Sequence, residues 1–168
     1  NQVNYNTGTF ASWNWKAGTT SGADFSGGDI TPSAYSINTT AGIGIYKFAG
    51  TNATETIAHN LGAVPEMLIV KNTSTTSGWS VYHEGMGNTN VLYLNTSAAK
   101  DASIAHWGNT TPTSTVFTMG VNANGTATGI IAYVFAEKKG YLKMGSYTGN
   151  GNADGPFIYT GFRPGFLL

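Results

Sequence analysis

The chain has 168 residues, with Lys plus Arg 8, Asp plus Glu 8, and no cysteine. Its length fits one domain that folds around a single core without metals or crosslinks. Its zero net charge and 10% charged residues exclude polybasic contact with nucleic acid or anionic lipid, and the missing cysteine excludes disulfide scaffolds and thiol chemistry.

The polar residues are mostly Gly, Thr, Asn and Ser. Thr, Val, Ile, Tyr, Phe and Trp suit pleated, half-buried surfaces, and Gly and Asn suit the turns between them. In chain order, Phe10 to Ala17 alternates, with Trp13 and Trp15 on one face. Residues 19–37 hold Gly22, Gly27, Gly28 and Pro32 with few apolar side chains, and read as a linker or surface loop. Strands are expected at Gly42 to Phe48, Glu66 to Lys71, Trp79 to His83, Val91 to Leu94 and Val116 to Met119. Gly129 to Ala136 is apolar on both faces, as a central strand would be. Further strands are expected at Tyr141 to Tyr147 and Phe157 to Tyr159. Asn95 to Asp101 offers capping residues and two alanines for one helical turn. Many short strands and almost no helix give the fold class: an all-β antiparallel sandwich of jelly-roll or lectin-like type.

The chain also echoes itself. FASWNWKAG, from Phe10, matches IIAYVFAEKKG, from Ile130, so that Trp13 falls on Tyr133 and Trp15 on Phe135. YKFAGTN, from Tyr46, matches GSYTGNG, from Gly145, and LGAVPEMLIV, from Leu61, matches TGFRPGFLL, from Thr160. Gly62 thereby falls on Gly161, Pro65 on Pro164 and Met67 on Phe166. This divides the chain into a terminal strand of a preceding module or an edge strand (1–18), the linker (19–37), a main sandwich module (38–140), and strands that open a following module or complete the sandwich (141–168). The absence of an initiator Met and an apparent break in mid-strand at Leu168 favour a segment of something longer.

Catalytic and metal signals are weak. His59, His83 and His106 lack the short spacing of zinc ligands, and each is expected to be a structural histidine with a backbone partner. The eight carboxylates show no local pairing of the kind glycoside hydrolysis needs. Gly149 to Gly155 carries one carboxylate and reads as a tight turn better than as a calcium loop. No cofactor, metal or catalytic residue is expected. For carbohydrate, where an aromatic face stacks on a sugar ring, the candidates are Trp107 with Asn109 and Tyr93 with Asn95. Core packing is the competing reading for both aromatics.

The strings WNWKAG, HNLGAVPEMLIVKN, WSVYHEGMG, VLYLNTSAAK and VNANGTATGIIAYVFAEKKGY, with GSYTGNGNADGPFIYTGFRP after them, resemble a repeated domain of virion proteins from marine and cyanobacterial tailed phages. The positions carrying the resemblance are His59, Leu61, Gly62 and Pro65, then Lys71 and Asn72, Trp79, Tyr82 and His83, and Leu94, Asn95, Ala98 and Ala99. The resemblance implies a non-enzymatic virion-surface protein, of tail-fibre or capsid-surface type, with a lectin-like sandwich. Its expected partners are other virion proteins, copies of itself in a trimer or repeated array, and a host cell-surface glycan, with no nucleic acid and no membrane insertion. A capsid-decorating protein is the first alternative and a polysaccharide depolymerase the second.

Overall fold

A computed structural model describes residues 8–9, 14–16 and 18–167. Among them the fold is all-β. The strands are β1 (Ala34–Asn38), β2 (Ile43–Gly50), β3 (Glu55–Ala58), β4 (Met67–Asn72), β5 (Trp79–His83), β6 (Asn90–Tyr93), β7 (Asp101–Ala102), β8 (Val116–Met119) and β9 (Ala127–Phe135). One short helix, α1 (Ile104–Trp107), precedes β8. A seven-stranded antiparallel sheet runs β1-β2-β9-β4-β5-β6-β7, and β3 pairs with β8 in a two-stranded sheet. The result is an unequal two-layer sandwich.

The strand period of two sorts the side chains. Tyr46 and Phe48 on β2, Ile130, Ala132 and Val134 on β9, Leu68 and Val70 on β4, and Tyr82 on β5 point into the main core. They meet Ile57 of β3 and Phe117 and Met119 of β8, all fully buried. β9 lies between β2 and β4, the central position that its two-sided apolar sequence predicts. The opposite, outer face carries a second cluster of Ile43, Ile69, Val81 and Phe135, against which Leu142 and Met144 pack.

The fold departs from the sequence reading in several places. The stretch 19–37 is no mere linker: Phe25 and Ile30 enter the main core, and Ala34–Asn38 forms the edge strand β1. Its few apolar residues are enough because each is large and fills the open end of the sandwich beside Tyr35 and Tyr46. Tyr141 to Tyr147 and Phe157 to Tyr159 are not strands. Tyr147, Phe157 and Tyr159 are 69%, 88% and 78% exposed, so burial, which would hold a short strand in register, is absent there. The helical turn sits at Ile104–Trp107 and not within Asn95–Asp101. Asn95 instead accepts a hydrogen bond from the Trp79 backbone N–H at 2.8 Å, which ties it to the end of the β5–β6 hairpin. Trp13 lies outside the described residues. Trp15 is 44% exposed, unlike its aligned counterpart Phe135, which is buried.

Two observations bear on the internal echo. The aligned glycines Gly62 and Gly161 both adopt left-handed φ, 69° and 78°. Trp15 and Phe166 meet edge to face, with ring centroids 5.5 Å apart. Their aligned counterparts, Phe135 and Met67, are register partners across β9 and β4.

Candidate functional site

Of the residues expected to bind carbohydrate, Trp107 is 1% exposed. Its indole N–H donates to the Asn90 carbonyl at 2.9 Å, and its ring packs on Tyr82. A stacking platform must show a ring face to solvent, so Trp107 is a core residue. Asn109, exposed, continues past the C-terminal end of α1 with a left-handed φ of 52°. Tyr93 is half-buried, packs against the main core, and shares a hydrogen bond with His106. Asn95 is exposed and borders a shallow hollow with Trp79 and Leu94. The structure therefore splits the four: two aromatics turn inward and two amides stay at the surface.

The histidines are held within the fold. His59 is fully buried. Its Nδ1 accepts from the Leu61 N–H at 3.2 Å and its Nε2 faces the Thr113 carbonyl at 3.1 Å. A carbonyl only accepts and an amide N–H only donates, so the neutral Nε2–H tautomer alone satisfies both. Burial pushes its pKa down, against the upward pull of the Thr113 hydrogen bond. His83 accepts from the Gly85 N–H at 3.0 Å. His106 differs from the expected backbone pairing, because its ring nitrogens face two hydroxyls: Ser103 at 2.7 Å and Tyr93 at 3.3 Å. Burial also lowers its pKa, opposed by Asp101. Among the described residues no carboxylate hydrogen-bonds to its ring, so Ser103 and His106 lack the orienting acid of a Ser-His-Asp arrangement. Among the described residues, no group of three or more His, Asp or Glu could hold a metal ion.

A carboxylate cluster escaped sequence reading. Glu66 precedes β4, Glu137 follows β9, and Glu84 follows β5; register brings these strand ends together. Glu66 is pushed up to about 7, first by burial, then by Glu137 and Glu84, against the pull of Lys143. Glu137 also accepts from the Met144 N–H at 2.9 Å and pairs with Lys143 at 2.7 Å. The geometry is that of a clamp on residues 142–144.

The outer face holds the more open surface. Register aligns Lys47, Ile131, Lys71 and Trp79 in one row across β2, β9, β4 and β5. Trp79 is half-buried and lies nearly parallel to Tyr133, with an interplanar angle of 23° and centroids 6.4 Å apart. Ala34, Ser36, Ile45 and Lys47 edge a second hollow on this face. The alternation W-S-V-Y-H placed Trp79 and Tyr82 on opposite faces; only strand pairing could show that Trp79 and Tyr133 meet.

Residues 1–168 match a family described as Domain of unknown function (DUF7483). No curated protein and no solved structure matches the chain.

Proposed function

Because the chain belongs to the DUF7483 family over its whole length, whose description names no activity, we propose its function from residues and fold. It is a non-enzymatic surface module of a tailed-phage virion, of tail-fibre type, which adheres to glycans of the host surface. The observation that carries this reading is the outer face of the seven-stranded sheet, where the half-buried rings of Trp79 and Tyr133 lie nearly parallel and Asn95 borders a hollow beside Trp79. An aromatic face takes the apolar side of a sugar ring, and its polar edges take the hydroxyls. The resemblance of the ordered motifs from His59 to Gly140 to phage virion domains supports the virion setting.

A capsid-decorating role is the second reading. Tyr147, Phe157, Tyr159 and Leu167 are 69–88% exposed, and apolar surface of this kind is what neighbouring subunits would cover. The Trp15–Phe166 contact, set beside the aligned Phe135–Met67 pair, supports a repeated array as the form of assembly.

Antibody labelling of intact particles, imaged directly, tests the setting: label on fibres supports adhesion, label on the head supports decoration, and unlabelled particles reject both. A glycan array with the purified chain tests adhesion itself.

A further inference from the structure

The outer face is unevenly covered. Leu142 and Met144 pack on the Ile43, Ile69, Val81 and Phe135 cluster, while Lys47 is exposed and Ile131, Lys71 and Trp79 are half-buried. Resting on the adhesion reading, we propose that the row Lys47–Ile131–Lys71–Trp79, with Tyr133, binds an acidic polysaccharide bearing uronate carboxylates.

Charge selects this occupant. Both lysines face Ile131 from either side, so their strands are about 10 Å apart, two strand spacings. No Asp or Glu stands in this row or in the adjacent row of Ile45, Tyr133, Ile69 and Val81. In a chain of zero net charge, that leaves a local cationic patch beside an apolar platform. Lys71 donates to the Ser77 carbonyl, but an ammonium has three donors, so two remain for a carboxylate. Lys47 lies along β9: a Cβ added at Gly129 would stand 3.8 Å from its Cε. The lysine stem thus lies within van der Waals reach of the sheet surface at Gly129. One uronate ring on Trp79 and Tyr133 would bring its carboxylate to Lys71, and a neighbouring sugar would reach Lys47.

The test is titration calorimetry on the full chain with oligogalacturonate and a neutral dextran oligomer of similar length, at low and at physiological salt. Oligogalacturonate should bind, more weakly as salt screens the lysines, and the dextran should not. Trp79→Ala and Lys47→Gln should each weaken binding about tenfold or more, with the circular dichroism spectrum unchanged. Lys47→Gln is the control for folding, because it removes a charge from an exposed side chain. Equal binding of both oligomers overturns the proposal. Binding that survives both substitutions also overturns it, placing the ligand elsewhere while leaving adhesion standing. Silence with these probes and across the glycan array overturns the adhesion reading as well. A dimer that Trp79→Ala dissociates would assign the face to a second copy and overturn the saccharide site.

Discussion

At the residue scale, Tyr46 shows how one glycine admits a buried polar group. Its hydroxyl, fully buried, donates to the His59 carbonyl. The ring reaches there by lying across Gly44 on the same strand: a Cβ at Gly44 would stand 2.1 Å from the hydroxyl oxygen. Tyr46→Phe strands the buried carbonyl and should cost about 1–3 kcal/mol. Gly44→Ala forces a fully packed ring aside and should cost a similar amount or more. Urea unfolding of the two variants measures both. His59 itself makes stability depend on pH. Its folded pKa is lowered, so its contribution is present above the free-imidazole value of about 6.5 and is lost as pH falls through the folded value. Protonation puts a hydrogen on Nδ1 against the Leu61 N–H. His59→Gln should flatten the fall in melting temperature as pH drops below about 6.5. Sequence reading expected His59 to be a structural histidine with a backbone partner, and the Leu61 N–H is one. It could not show the partner carbonyl, which comes from Thr113 on a distant loop.

At the scale of elements, alternation and apolar runs made six of the nine strands legible among the described residues, with Trp79–His83 and Val116–Met119 at the observed bounds. The three missed strands, β1, β3 and β7, are short or mixed in polarity, and each offers too few apolar side chains to show a pattern although Ile37 and Ile57 reach the core. The carboxylate clamp was illegible because Glu66 and Glu137 are 71 positions apart in sequence and meet through the β4–β9 register. Its pH dependence runs opposite to that of His59. A carboxyl raised to about 7 contributes fully below its unfolded pKa, near 4.5, and that contribution is lost as pH rises through about 7. Glu66→Gln should therefore melt at the same temperature as the parent near pH 4 and at a higher one near pH 8. If the clamp holds residues 142–144, the protection of the Met144 amide, taken relative to its intrinsic exchange rate at each pH, should fall in the parent over the same range and hold in the variant.

At the scale of the whole molecule, the all-β sandwich followed from composition, but its asymmetry did not. Seven strands against two leave one sheet face half bare, and sequence periodicity cannot tell a face that meets a second layer from one that meets solvent. This is why Trp107 read as a surface candidate while Trp79 did not. Trp107 sits in a polar stretch, yet α1 turns it under Tyr82; Trp79 sits in a clean strand pattern, yet on the outer face.

The position of β9 has a consequence for biogenesis. Its neighbours β2 and β4 do not pair with each other; they are joined only when Ile43 finds Phe135 and Met67 finds the same residue. Until β9 is made, β1–β2 and β4–β6 can pair only within themselves and leave open edges between them, and such late, distant pairing is slow and prone to wrong partners. Stalled chains ending before Ala127 should be cut readily by protease, and chains extended past Ala136 should resist it. The last strand among the described residues is thus the keystone of the sheet.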